Sequence, residues 1–273
     1  MVPLFFNPFV SLLFMASLRL ISLVLAVVLF QGCAPLEPDL PVDEEGEPID
    51  LPPPGEDWLF FESVEPQEEI STRPTIEINF NSYLDPETFN SYGTFRMRSG
   101  GLTNAGRVDY WMTRRQLRFR PNADLEPRLS YQLQLLADDL RSITGSPLHT
   151  LAILPRLHTS EDLEPTDPLR RPEVSWEEVE AIFEIHCNDC HSDPNWMLPE
   201  LTRESLIHKR SEQVDARLVE PFSAPRSYLM HKILPDYPLR RKEVQPPSWS
   251  DAPPLSMTDV ERIEHWIANG APP

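Results

Sequence analysis

Apolar and polar residues alternate along the middle of the chain, from about Leu59 to Thr159. Ile76, Ile78 and Phe80 alternate with polar neighbours, and the same period of two recurs in later segments. Those segments contain Phe95 and Met97; Val108, Tyr110 and Met112; Leu117 and Phe119; and Tyr131, Leu133 and Leu135. Such a period turns one side of a strand to a core and the other to water. Turn sequences separate the runs and no helical segment lies between them, so the pattern predicts an antiparallel β-sandwich over residues 58–160.

Helical periodicity follows a proline-rich, charged linker at residues 161–173. Ser175 and Glu178 have the spacing of a capping box, and Ser256 and Asp259 repeat this type of helix start near the end of the chain. The apolar residues behind these caps share one face of each helix: Val179, Ile182 and Phe183 in the first, and Val260, Ile263, Trp266 and Ile267 in the second. The sequence therefore predicts a multidomain chain, with a β-sandwich followed by a small all-α region over residues 174–273.

The N-terminal segment has the features of an export signal. Residues Leu20 to Phe30 are apolar and follow Arg19, which predicts a signal peptide over residues 1–32. The run is short for a membrane span, although further apolar residues before Arg19 leave a signal anchor as an alternative. Its end resembles the lipobox of bacterial lipoproteins, with Gln31 where a small residue is more usual. The resemblance implies lipidation of Cys33 and attachment to a membrane.

Acidic residues dominate the composition, and the formal net charge is −19. This charge argues against a nucleic-acid partner, because phosphate binding needs a basic face. It suits a basic partner protein, which an acidic surface attracts, or plain solubility. Residues 33–57 are especially acidic and rich in proline, a composition that predicts an extended tether between the anchor and the sandwich.

Cys187, Cys190 and His191 form a Cys-x-x-Cys-His motif, and Cys33 is the remaining cysteine of the chain. In an exported protein this spacing indicates covalent attachment of haem c, because the two thiols can form thioethers and the histidine can bind the iron. Two alternatives stay open. The motif could supply part of a zinc site together with a distant histidine, or the two thiols could form a redox-active disulfide.

The stretch Leu125-Glu-Pro127-Arg-Leu-Ser-Tyr131, with a tyrosine opening a strand, resembles the tyrosine corner of Ig-like sandwiches. Together with the turn Gly145-Ser146-Pro147-Leu148 and the closing Leu157-His158-Thr159, it makes this region similar to bacterial Ig-like modules of exported proteins. The resemblance implies a spacer or docking module without catalytic residues. His149 and His158 are expected at the surface or at a strand edge.

The helical region resembles class I cytochromes c. The resemblance is carried by the Cys187-x-x-Cys190-His191 motif and by the later segments Gln245-Pro246-Pro247, Leu255-Ser256, Trp266-Ile267 and Gly270-Ala271-Pro272. It implies that Cys187 and Cys190 hold one haem c and that His191 is the proximal iron ligand. Related domains usually carry a methionine where this chain has Gln245, so the sixth ligand is open among His231, Met230 and Gln245.

The leading hypothesis is a membrane-tethered monohaem c-type cytochrome that passes single electrons in the bacterial cell envelope and has no catalytic residues of its own. By analogy, Ala34 after the lipidated cysteine favours the outer membrane, since it is not the aspartate that retains some lipoproteins at the inner membrane. Two alternatives remain: an open-site haem sensor or enzyme, and a structural envelope lipoprotein whose modules serve docking.

Overall fold

The computed structural model describes residues 58–137, 139–149, 154–166, 169–193 and 198–273, which all belong to one compact unit, Pro52–Pro273. The predicted signal peptide, the lipidation site at Cys33 and the tether at 33–57 lie outside the described residues. Within those ranges, no helix is long and apolar enough to cross a membrane.

Eight strands lie in the part of the chain that the structure describes. They are β1 (Phe61–Glu65), β2 (Glu69–Ile70), β3 (Ile76–Phe80), β4 (Phe95–Ser99), β5 (Leu102–Trp111), β6 (Gln116–Pro121), β7 (Ser130–Leu135) and β8 (Arg156–Thr159). Hydrogen bonding arranges them in the order β1-β3-β6-β5-β4-β7-β8-β2. The pairs are antiparallel except for β2 with β8, where the antiparallel prediction does not hold.

The long strand β5 connects the two halves of this arrangement. Residues 106–111 of β5 pair with β6, whereas residues 102–105 pair with β4. Gly106 lies at the change of partner, where an added Cβ atom would come within 2.4 Å of the Arg120 carbonyl oxygen and 2.3 Å of the Phe119 ring. A glycine is needed here because the two chains approach too closely for any side chain.

The predicted strand pattern is confirmed in the core. Ile76, Ile78 and Phe80 are buried on one face of β3, while the intervening residues are half-exposed. Phe95 of β4 and Phe119 of β6 have ring centroids 6.1 Å apart, so residues from both halves meet in one core.

The predicted tyrosine corner is also confirmed. Tyr131 is fully buried, and its hydroxyl oxygen accepts a hydrogen bond of 3.0 Å from the backbone N–H of Glu126, five residues upstream. This is the geometry in which a corner tyrosine anchors the turn before its strand. The expectation for His149 was wrong, because that residue is buried and its ring centroid lies 5.0 Å from that of Trp58. His158 is exposed, as expected.

Five α-helices follow in the described part of the C-terminal segment. They are α1 (Trp176–His186), α2 (Asn188–His191), α3 (Arg203–His208), α4 (Tyr228–Ile233) and α5 (Met257–Ala268). Both predicted helix starts are confirmed: Ser175 and Glu178 form a complete capping box, and the Ser256 side chain accepts from the Asp259 N–H. The stripes behind the caps are buried as predicted, in α1 through Val179, Ile182 and Phe183 and in α5 through Val260, Ile263, Trp266 and Ile267.

A buried ionic cluster connects the sandwich to helix α5. The Glu264 side chain is 0% exposed; its carboxylate accepts from the backbone N–H groups of Met112 and Thr113 at 2.7 and 2.9 Å and from the Arg171 guanidinium at 3.0 Å. Arg171, which the sequence assigned to the linker, also pairs with Asp109 of β5 at 3.0 Å. The helical region thus packs against the sandwich through buried charges, and these charges have their hydrogen-bond partners only when the sandwich and the helical region are in contact.

Candidate functional site

Helix α1 positions the Cys-x-x-Cys-His motif. It ends at His186, and Cys187 follows with φ −131° and ψ −30°, outside the helical region of conformational space. The backbone N–H groups of Cys190 and His191 then bond to the Cys187 carbonyl oxygen at 3.2 and 3.1 Å, which closes the short helix α2. Both thiols and the imidazole are therefore carried on one tight turn at the end of a helix whose apolar stripe is buried.

The His191 imidazole is oriented by the backbone. Its Nδ1–H donates to the carbonyl oxygen of Pro199 at 2.7 Å. Because a carbonyl only accepts, this bond places the proton on Nδ1 and leaves the Nε2 lone pair available to a metal. Burial lowers the pKa of His191, which favours the neutral ring that ligates metals. Histidines that bind a metal through one ring nitrogen typically donate a hydrogen bond of this kind from the other.

The two thiols of the motif are free and half-buried. Burial, with a further contribution from neighbouring Cys190, raises the pKa of Cys187 to about 12. Redox-active dithiols depend on a lowered thiol pKa, so the environment of Cys187 is opposite to what the disulfide alternative needs. Within the described residues, no group of three or more His, Cys, Asp or Glu side chains is arranged to hold a metal ion.

Helix α1 is held to the α5 region at both of its ends. The rings of Trp176 and Trp266 have centroids 5.3 Å apart. His186 at the end of α1 donates from Nδ1 to the Pro253 carbonyl oxygen, 2.7 Å away, in the segment before α5. The motif thus starts where the first and last helices of the region are held together.

The three candidates for a sixth ligand lie in different environments. Met230 on α4 is fully buried among apolar residues. The next residue, His231, donates from Nε2 to the Pro225 carbonyl oxygen at 2.9 Å, and its ring stacks on Tyr237 with centroids 4.3 Å apart. Gln245 is half-exposed, and its backbone N–H bonds to the Lys232 carbonyl oxygen at 2.8 Å. The Nε2 atom of His231 therefore already donates a hydrogen bond, and the identity of the sixth ligand stays open among the three residues.

The residues of the turn fit a covalently bound haem. Two unpaired thiols and a neutral imidazole with a free Nε2 are the donors that this group requires. Ile185 and Leu198, which are close in sequence to Cys187 and Pro199, have exposed apolar side chains. Pro199 was not recognised from the sequence, because nothing local marks which carbonyl will face a given imidazole.

Comparisons with known proteins identify the sandwich. Residues 61–152 match the family model of a bacterial Ig-like domain, so this part of the chain is Ig-like, as the sequence predicted. The match includes strands β1 to β7 and none of the helical region. A search of curated proteins found no match.

Solved structures with a similar region include two classes of bacterial protein. The crystal structure of the S-layer protein rSbsC(31-844) has 13% sequence identity and a TM-score of 0.31, covering 43% of this chain and 16% of that one. L,D-transpeptidase 1 of Mycobacterium tuberculosis has 12% identity and a TM-score of 0.24, covering 37% of this chain and 38% of that one. The chain spans much less than two thirds of the length of either protein.

Proposed function

We propose that this chain is a membrane-tethered monohaem c-type cytochrome that transfers single electrons in the bacterial cell envelope. The observation that carries the proposal is the His191 Nδ1–H bond to Pro199, which leaves Nε2 free beside the two thiols of the same turn. Cys187 and Cys190 hold the porphyrin through thioethers, and His191 is the proximal ligand. The bound iron supplies one-electron chemistry by changing between two oxidation states.

In this proposal the polypeptide binds and orients the cofactor and takes no part in proton transfer. The Pro199 carbonyl holds the His191 ring in one orientation, and His186, next to Cys187, bonds to the Pro253 carbonyl oxygen ahead of α5. Lipidation of Cys33 keeps the chain at the membrane, with the outer membrane favoured, and the acidic surface attracts a basic redox partner.

The decisive experiment is expression of the full chain in a bacterium that matures c-type cytochromes, followed by denaturation. We expect one haem per chain to remain bound, shown by haem staining of a denaturing gel and by the intact mass. Cys187→Ala with Cys190→Ala abolishes this signal, whereas His186→Ala, a change in the preceding residue, retains it. Lack of covalent haem in the wild-type chain, in a host that loads a reference cytochrome in parallel, overturns the proposal and leaves the structural lipoprotein.

A second candidate, an open-site haem sensor or enzyme, is favoured by a specific pair of observations. Gln245 stands where related domains carry methionine, and the Nε2 of His231 is bonded to Pro225. Carbon monoxide binding to the reduced protein separates the two functions. Rapid binding indicates an open iron site, and its absence indicates a six-coordinate electron carrier. In the latter case, loss of the sixth ligand in Met230→Ala but not in Gln245→Ala would identify Met230.

A further inference from the structure

Four arginines line one cleft of this acidic chain. The cleft lies where the sandwich meets the linker before α1 and the end of α5, and its volume of about 580 Å³ is within the range of small-molecule sites. Its charged and amide-bearing residues are Arg107, Asp109, Arg120, Asn122, Arg170, Arg171 and Asn269. Which of these side chains are available to a ligand depends on the bonds that each already makes.

Asp109 and Arg171 belong to the buried ionic cluster and neutralise each other there. Arg171 pairs with Asp109 and with Glu264, at 3.0 Å in both cases. The Asp109 carboxylate also accepts from the Trp111 Nε1–H at 2.7 Å. These bonds engage the acidic residue of the cleft with partners other than Arg107, which lies two positions before it on β5.

Two like charges are placed directly opposite each other on the sandwich side of the cleft. Arg107 of β5 is the register partner of Arg120 of β6. Side chains in such positions leave the same face of the sheet with their Cβ atoms about 5 Å apart, and like charges there are destabilising. Arg120 is held by bonds to the Thr75 hydroxyl and the Thr166 carbonyl oxygen at 3.1 and 3.0 Å. Arg107 is exposed, and its guanidinium makes no hydrogen bond or ion pair with the described part of the chain.

The opposite side of the cleft supplies a second arginine that can reach a ligand. Arg170 pairs with Glu173, and the two side chains are 71% and 79% exposed. An ion pair this exposed contributes little, so a bound anion can compete with Glu173 for the guanidinium. The Asn269 side chain donates to the Pro172 carbonyl oxygen at 2.7 Å, which holds this part of the linker to the end of α5.

From these observations we propose that the cleft binds a phosphate group, with Arg107 and Arg170 as its charged partners. The planar guanidinium of arginine donates two parallel hydrogen bonds to a phosphate, and an anion between the two sides offsets the repulsion at Arg107. A phosphate group has more acceptor oxygens than a carboxylate, so it can accept from both sides of the cleft and from the exposed Asn122 amide as well. The proposal depends on neither the haem nor the lipid anchor.

The test is calorimetric titration of the full chain, purified in a buffer without phosphate, with three ligands. They are orthophosphate, glycerol 3-phosphate and dihexanoyl phosphatidic acid, a short-chain lipid that is soluble as a monomer. We expect orthophosphate to bind with a dissociation constant of about 1 mM or below, the strength of a few charge-assisted contacts. Tighter binding of the lipid then identifies a lipid headgroup as the source of the phosphate, whereas equal or weaker binding identifies a soluble phosphate compound.

Arg107→Gln is expected to weaken orthophosphate binding about tenfold or more, because one charge-assisted contact is lost. Arg170→Gln should weaken it in the same direction. Arg98→Gln is the matched control, since Arg98 is likewise exposed on a strand of the sandwich and does not line the cleft. Without phosphate, the melting temperature of Arg107→Gln should be equal to or above that of the wild type, because the repulsion opposite Arg120 is removed.

Three results would overturn the proposal: no binding of orthophosphate, equal losses in Arg107→Gln and Arg98→Gln, or binding of succinate as tight as that of phosphate. The first would mean that the arginines of the cleft serve only the structure, and the last that the cleft takes carboxylates. A variant with Cys187→Ala and Cys190→Ala is expected to bind phosphate as the wild type does, so failure of the haem proposal leaves this result unaffected.

Discussion

Gly106 shows how a single missing side chain determines the path of a strand. At this residue β5 leaves β6 and pairs with β4, and the neighbouring Arg120 carbonyl and Phe119 ring occupy the space of a Cβ atom. Because the Arg120 carbonyl belongs to a paired strand, neither neighbour can move without disturbing the core. Residues of this kind mark the close contacts on which the sandwich depends.

Gly106→Ala is accordingly expected to lower the free energy of unfolding by about 1–3 kcal/mol through overpacking. Gly101→Ala is the control, since nothing lies within 4 Å of a Cβ atom added there. It should change the free energy of unfolding by no more than about 0.5 kcal/mol. Urea denaturation of the two variants measures the difference, and equal effects would contradict the close-contact explanation.

His265 gives a second prediction at the level of one residue. Burial, followed by the nearby Arg171 charge, lowers the pKa of His265 below its usual value of 6.5. The unfolded chain therefore takes up a proton as the pH falls through 6.5, while the folded chain does not, so stability is full above this pH and falls below it. His265→Gln, whose side-chain oxygen can still accept from Arg171, should reduce the loss of stability that accompanies a fall in pH from above to below the ordinary histidine pKa.

The measurement is the difference in unfolding free energy between wild type and variant at several pH values. Burial also lowers the pKa values of His191 and His231, so part of the pH dependence should persist in the variant. If the unfolding free energy of His265→Gln depends on pH as it does in the wild type, the folded protein accommodates the protonated His265 ring.

At the scale of elements, Arg171 connects strand β5 to helix α5. Its side chain is 5% exposed, pairs with Asp109 of β5 and Glu264 of α5, and lies over the Trp111 ring at 5.2 Å. Arg171 also donates to the Tyr110 carbonyl oxygen. A buried ion pair of this kind gives the folded state little more stability than apolar residues in its place would. Removing one partner is costly, however, because the remaining charges are left uncompensated.

We expect Arg171→Ala to lower the free energy of unfolding by about 3–5 kcal/mol, because Glu264 and Asp109 lose their counter-charge inside the protein. The adjacent residue offers a control: Arg170 pairs with Glu173 on the surface, with its side chain 71% exposed. Arg170→Ala should cost less than about 1 kcal/mol. Thermal unfolding of both variants provides the comparison, and a mild effect of Arg171→Ala would mean that the interface is not needed for stability.

At the scale of the whole molecule, the sandwich and the helical region act as one folded body. Besides the Arg171 cluster, Arg114 pairs with Glu261 of α5 at 2.9 Å, and Tyr83 of the sandwich bonds to Asp236 in the helical region. The sandwich thus contributes partners for the buried Glu264 of the region that carries the Cys-x-x-Cys-His motif.

A fragment of residues 174–273 is therefore expected to be less stable than the full chain or to melt without a cooperative transition, because the face of α5 that the sandwich covers would be exposed to water and Glu264 would lose its bonds to Arg171, Met112 and Thr113. Circular dichroism of the fragment and of the full chain tests this. If the unmodified fragment melts as sharply as the full chain, the helical region is an independent domain.

The features that the amino-acid sequence revealed are those that depend on near neighbours. Strand alternation, the caps at Ser175 and Ser256 and the tyrosine corner at Tyr131 all involve residues within a few positions of each other, so their patterns can be seen directly in the chain. The Cys-x-x-Cys-His motif is local in the same way.

The remaining features required the packed molecule. Glu264 flanks the apolar stripe of α5 and His265 lies on its polar side, and both are buried because β5 and the following turn cover them from about 150 positions away. By composition Arg171 belongs to a proline-rich linker, and nothing in the sequence distinguishes the backbone carbonyl of Pro199 from any other. Long-range packing selects these partners. Polar and charged groups that are buried lose their hydrogen bonds to water, so they need partners among the groups that the fold brings next to them.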